Sequence, residues 1–261
     1  MEYTPEFKEY LKTAEKCGQT YVGHGNPNAS ILIVANEPGT IDDCLITNDL
    51  QKNLEKWENN LSGKGLESVE DMLIGDRLDW QKFNPLWPFK GQHFTIGKEY
   101  RHTSRSWFQY QKLVDMMYSA HYECNRKRED SLDFFEHAFI TDFSAIPGEH
   151  SECISREKRL DSIKRRLPLF SSAFISHFPI IIVASGHYIR NFEPLNDLRN
   201  VFQGFDKVEL INDSLGWRNI HYSVDMKRIL IHAKHFANAI SDKYLQAIAA
   251  ECVKENRLNL R

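Results

Sequence analysis

A chain of 261 residues, 41% hydrophobic and 26% charged, has the make-up of an ordinary globular protein and is long enough for one large domain. Its net charge of −3 excludes the global basic field that many nucleic-acid binders carry, so any hold on phosphate must come from local patches. Apolar runs such as Phe178-Pro-Ile-Ile-Ile-Val-Ala184 are too short to span a bilayer, and the first residues lack the basic and apolar regions of a secretory leader. A cytoplasmic protein without a membrane partner is expected.

In chain order, Thr4-Pro5-Glu6 reads as an N-cap followed by proline at the first helical position, opening a helix that should end near Gly18. A polar loop broken by Gly23 and Gly25 then runs into an apolar strand, Ile31–Ala35, which stops on the turn Asn36-Glu37-Pro38-Gly39. A helix is expected over 40–57. Residues 59–103 read as a long loop-rich insertion, with Gly63, Gly65, Gly75, Pro85, Pro88, Gly91 and Gly97 as breakers. Helix resumes over 104–120, where Trp107, Tyr110, Leu113, Val114 and Met117 recur at helical spacing.

Ala138–Asp142 is a second strand. Ser155 caps the next helix, whose pattern Pro168 interrupts or ends. The run 180–184 is a third strand, apolar enough to be buried on both faces. Residues 206–211 and 228–232 supply two more strands, and a last helix covers 237–257. Strands alternating with helices predict an α/β three-layer sandwich, a central, largely parallel sheet with helices on both faces. Nothing in composition marks a linker, so residues 1–261 read as a single domain.

The cysteines, Cys17, Cys44, Cys124, Cys153 and Cys252, are odd in number and form no C-x-x-C pair, so neither a disulfide framework nor a zinc ribbon is indicated. His232 and His235 do not stand four apart, and no third metal ligand lies near them. Gly23-His-Gly25 lacks the P-loop and dinucleotide-binding spacings, and no G-x-S-x-G elbow is present. Two stretches are locally basic: 156–166, and the group Arg101, Arg105, Arg126, Lys127 and Arg128. Each is either a solvated helix face or a patch for phosphate.

In open α/β sheets ligands bind beyond the carboxyl ends of the strands, where Asn36, Glu37, Asp142 and His232 are expected to lie. The first of these segments, 21–39, resembles the first motif of the uracil-DNA glycosylase superfamily, and is most similar to the branch that often carries an iron–sulfur cluster. Four further landmarks keep the same order. Phe139-Ile-Thr-Asp-Phe-Ser-Ala-Ile-Pro147 resembles the family's base-reading strand, and Ile180-Ile-Ile-Val-Ala-Ser-Gly186 its later core strand and glycine turn. Ile229-Leu-Ile-His-Ala-Lys-His-Phe236 stands where the family has a histidine, proline, serine loop. Phe89, in Trp87-Pro-Phe89, or Tyr100 stands near where a phenylalanine stacks on the base. The iron–sulfur members hold their cluster with four cysteines, two of them close together near the N-terminus. Only Cys17 precedes the first motif here, so no cluster and no other cofactor is expected.

The resemblance implies a DNA base-excision hydrolase that cleaves the N-glycosidic bond of a flipped uracil or related base, a monomer working on single- or double-stranded DNA. Glu37, or Asn36 beside it, would position water and stabilise the sugar cation; His232 would donate to the departing base. Pro38 and Gly39 would line the backbone of the DNA, Lys234 would touch phosphate and Phe236 would wedge into the duplex. Asp142 replaces the asparagine that reads the base. Ionised, it only accepts hydrogen bonds and suits the amino group of cytosine; protonated, it can serve uracil. Ala233 and Lys234 replace the family's proline and serine. Two alternatives stand beside this reading: a binding module without catalysis on the same fold, for nucleic acid or protein, and a hydrolase of small N-glycosides.

Overall fold

The structure, a computed structural model, describes residues 3–38, 52–62, 73–74, 77–78, 105–122, 134–148, 154–238 and 240–256. The chain opens with helix α1 (Pro5–Lys16), whose N-cap Thr4 accepts a hydrogen bond from the Phe7 amide at 3.2 Å. Phe7, Tyr10, Leu11 and Ala14 recur along one stripe of α1 and are buried. A short strand β1 (His24–Gly25) precedes β2 (Ile31–Ala35), and α2 (Asn53–Leu61) follows. Strands β3 (Leu73–Ile74) and β4 (Arg77–Leu78) form a separate antiparallel pair. Next come α3 (Arg105–Tyr122), α4 (Phe134–His137), β5 (Ala138–Asp142), α5 (Arg156–Phe170), α6 (Ala173–Ser176) and β6 (Ile180–Val183). Two 3-10 turns, Tyr188–Asn191 and Glu193–Leu195, lead to α7 (Leu198–Val201). The chain continues with β7 (Phe205–Asp213), β8 (Gly216–Ser223), β9 (Ile229–His232) and α8 (Asp242–Val253).

Seven strands form one mixed sheet in the order β1-β5-β2-β6-β9-β8-β7. The four in its centre, β5, β2, β6 and β9, are parallel, and β1, β8 and β7 join antiparallel. Side chains alternate along each central strand, so Ile31, Ile33, Ile180, Ile182, Ile229 and Ile231 pack with α3 and α8 on one face. Leu32, Val34, Ile181, Val183 and Leu230 pack with α1, α2, α5 and α6 on the other. Burial on both faces is why these strands read as continuous apolar runs.

The glycines that bracket His24 have a steric task. Gly25 has φ +96, and a Cβ there would lie 2.4 Å from the Ala138 carbonyl oxygen, so a side chain at this position would push β1 off β5.

The structure moves several sequence-based boundaries. Pro168 lies inside α5 rather than ending it; it is exposed and two residues from the helix C-terminus, so the Lys164 carbonyl that loses its helical donor is on the solvent side. The last helix starts at Asp242 because Ser241 caps it, accepting from the Tyr244 amide at 3.3 Å. Helix α2 extends the helix expected over 40–57 to Leu61, while 39–51 lie outside the described residues, as does most of the stretch 59–103. Strand β8 has no counterpart in the sequence reading, and the sheet is mixed rather than largely parallel throughout.

Candidate active site

The chain leaves β2 for β5 on one side and returns to β6 on the other, so the strand order reverses around β2. At such a switch point a crevice opens beyond the strands' carboxyl ends. There β2 delivers Asn36 and Glu37. Their turn is tied to the chain leaving β5, with the Phe143 amide donating to the Ala35 carbonyl at 3.0 Å and the Ser144 amide to the Asn36 carbonyl at 2.9 Å.

Tyr188, on the 3-10 turn after β6, donates to Glu37 Oε2 at 2.9 Å. Burial, and then the charge of Glu37, push its phenol well above the usual range, which keeps it a donor. Behind it the Arg159 guanidinium lies 5.8 Å from the ring centre. Glu37 Oε1, Asn36 Oδ1 and Ser185 Oγ are buried and have no hydrogen-bond partner among the described residues. The β2–β6 register pairs Val34 with Val183, and carried past the strand ends it sets Asn36 across from Ser185. Two of these three atoms at adjoining strand ends, Asn36 Oδ1 and Glu37 Oε1, are acceptors, and the Ser185 hydroxyl can both donate and accept.

Asp142 ends β5, paired in register with Ala35 and 5% exposed. Its Oδ2 accepts from the Tyr21 hydroxyl at 2.7 Å, and the Tyr21 oxygen lies 3.4 Å from His24 Nδ1. Beneath it Arg166 is wholly buried, donating from Nε to the Asp142 carbonyl at 3.0 Å, from Nη2 to Thr141 Oγ1 at 2.8 Å, and from Nη1 to the Tyr21 carbonyl. Burial pushes the Asp142 carboxyl up to about 7. That value already includes the lowering by the Tyr21 hydrogen bond and the Arg166 charge and the further rise from the Glu37 charge. Near neutral pH the group therefore exists in both states, with Oδ2 held by Tyr21.

His232 ends β9 and is 2% exposed. Its Nε2 lies 2.7 Å from the Gly186 carbonyl oxygen; a carbonyl only accepts, so Nε2 carries the proton. Burial, the leading cause, holds the ring down to about 4, so at neutral pH Nδ1 is a bare acceptor. The one N–H of the neutral ring is committed to the Gly186 turn instead of being offered to a base. Strand β6 separates β2 from β9, so the strands carrying Glu37 and His232 are not neighbours and lie roughly 10 Å apart axis to axis.

Of the residues expected to grip DNA, Phe236, Lys234 and Pro38 are engaged within the fold. Phe236 is fully buried and packs on Tyr110 with ring centres 5.5 Å apart, which corrects its reading as a wedge, since a wedge must be exposed. The Lys234 ammonium sits 5.1 Å from the Tyr244 ring centre and 3.4 Å from the Leu215 carbonyl. Pro38 is buried, its carbonyl accepting from the Gly148 amide at 3.1 Å. Gly39, Phe89 and Tyr100 lie outside the described residues.

The structure thus joins Asn36, Glu37 and Asp142, and adds Tyr21, Tyr188, Ser185 and Arg166. Tyr21 opens the first motif and Ser185 stands in the glycine turn after β6, which were the available signals for them. Among the described residues no group of three or more His, Cys, Asp or Glu side chains is arranged to hold a metal ion, and no helix is long and apolar enough to cross a membrane. Cys17 is half-buried and Cys252 buried. No family model matches the chain, and no curated protein matches it.

Proposed function

We propose that the protein is a base-excision hydrolase of the uracil-DNA glycosylase kind, with the three-layer fold of that superfamily, acting on a flipped uracil or a related base in DNA. One observation carries the reading. Two carboxyl groups meet at adjacent strand ends, Glu37 with a free, buried oxygen and Asp142 with its proton lost only near pH 7. Pairs of titratable groups in different surroundings are how one site supplies both an acid and a base.

In this account Tyr188 fixes Glu37 Oε2, leaving Oε1 to hold the attacking water together with Asn36 Oδ1 and Ser185 Oγ. As the bond from C1′ of the sugar to the base nitrogen breaks, the electron pair leaves with the base and the sugar becomes cationic. Water adds to C1′ and its proton passes to Glu37. Protonated Asp142, its Oδ2 kept by Tyr21, offers its remaining oxygen as an O–H donor to a carbonyl of the base, the role a neutral carboxyl fills where burial keeps it protonated. Ionised, the same oxygen accepts from an amino group, which suits cytosine. His232 acts by holding the Gly186 turn beside the crevice.

A second reading, a hydrolase of small N-glycosides, draws on Lys234 and Phe236, which are engaged within the fold rather than offered to a duplex. Salt distinguishes the two. Activity on DNA falls steeply as salt rises, because phosphate binding releases counterions, whereas activity on a free nucleoside does not. Formation of abasic sites in a uracil-bearing oligonucleotide, abolished by Glu37→Ala, tests the main reading. Base release that survives Glu37→Ala overturns the role given to that carboxylate.

A further inference from the structure

The sheet ends on β7, and among the described residues nothing pairs with its outer side. At nine residues β7 is long for an open edge, and it presents a row of backbone N–H and C=O groups that natural proteins cover, shorten or block. Two of the large apolar side chains left exposed among the described residues, Val208 and Leu210, stand on β7; the others, Val224 and Met226, follow β8 past the Phe205 end of the pairing. Leu210 is 77% exposed. It lies two residues from Val208 and therefore on the same face of the strand.

The pairing of β7 with β8 is irregular between Phe205 and Lys207 and regular from Lys207 to Asp213. Leu210 is the midpoint of that regular stretch. A two-fold axis through it sets Leu210 against the partner's Leu210, with Val208 diagonal to the same side chain, so the exposed apolar groups cover one another. On the opposite face the same axis sets Lys207 against the partner's Asp213, twice over. Asp213 is held below the usual carboxylate range, first by the Leu215 amide that it caps, and so carries its charge. Within its own chain Lys207 also pairs with Glu209 at 2.7 Å and Asp213 with Arg218 at 3.0 Å, so the edge carries Asp206, Glu209 and Asp213 against Lys207, and only the Lys207–Asp213 positions bring opposite charges together across the axis.

We propose that β7 pairs antiparallel with β7 of a second copy of this chain, centred on Leu210, making a sheet continuous through a two-fold dimer. The expectation from sequence is a monomer. Light scattering coupled to size-exclusion chromatography, run to the highest soluble concentration, reads the state directly. The wild-type chain is expected at twice the monomer mass and Leu210→Lys at the monomer mass with an unchanged circular dichroism spectrum. Leu210→Cys fixes the register: mild oxidation should link two copies through residue 210, because strand partners lie within disulfide reach, whereas Val208→Cys and wild type should stay unlinked. A monomeric wild type overturns the proposal, as does a dimer that persists in Leu210→Lys. Cross-linking through Val208→Cys in place of Leu210→Cys overturns the register.

Discussion

Tyr188 donates its hydroxyl proton to Glu37 across 2.9 Å, joining the 3-10 turn after β6 to the turn after β2. The two strands lie side by side in the sheet, so this bond closes the crevice at the point where the strand order reverses. It also orients the carboxylate. With Oε2 engaged, Oε1 is the oxygen left to act.

Tyr188→Phe keeps the ring and removes the donor. A hydrogen bond to a charged group contributes about 1.5–3 kcal/mol, so kcat for base release should fall roughly 10- to 100-fold. In the proposed mechanism the lost contact orients the water and not the base, so KM should stay nearly constant. Steady-state kinetics with a defined oligonucleotide checks this. A change confined to KM contradicts it.

Asp142 links stability to pH. Its folded value, about 7, lies above the ordinary carboxyl value of 3.8, so between these pH values the folded state binds more protons than the unfolded. Stability contributed by this group is then complete below about pH 4 and is lost as pH rises toward 7, on the order of 4 kcal/mol at about 1.4 kcal/mol per pH unit. His24 and His232, each held down to about 4 by burial, carry the opposite slope, so the useful quantity is the difference between variant and wild type. Asp142→Asn should gain stability relative to wild type as pH rises from 4 to 8, measured by urea denaturation. A difference that does not vary with pH contradicts the assignment.

Arg166 is a buried charge whose fork satisfies the carbonyls of Asp142 and Tyr21 and the hydroxyl of Thr141. Arg166→Met leaves those acceptors orphaned and removes the cation beside Asp142. Breaking a buried charge of this kind costs about 3–5 kcal/mol. Arg166→Lys should rescue little, because a point charge cannot reproduce the fork. Thermal and urea unfolding of both variants measure the loss.

Much of the fold was legible because local signals were strong. The strands Ile31–Ala35 and Ala138–Asp142 have the predicted bounds, and Thr4 and Ser155 cap the helices they were expected to cap. Strand β8 escaped because Gly216-Trp-Arg-Asn-Ile-His-Tyr-Ser223 mixes polar and apolar residues without a clean period of two, and its outer neighbour β7 is mostly exposed. For the site, the strand-end rule located Glu37, Asp142 and His232. It could not pair them, because the order of strands is a property of the whole sheet. Tyr188 and Tyr21 escaped for a related reason, since they reach Glu37 and Asp142 across 151 and 121 residues of sequence. Arg166 was counted with a basic run; its neighbours Lys164 and Arg165 are exposed, and helical rotation alone turns Arg166 inward.

The measurement that bears most directly on the central claim is abasic-site formation by wild type, Glu37→Gln and Asp142→Asn on oligonucleotides carrying uracil, or cytosine opposite each base, from pH 5.5 to 8.5. The account predicts that wild type releases uracil best on the acid side of about pH 7, where Asp142 is protonated. It predicts that Asp142→Asn removes this pH dependence, because an amide donates at any pH, and that Glu37→Gln is inactive throughout. No abasic sites at any pH with folded wild-type protein, or cleavage that is indifferent to both substitutions, contradicts it.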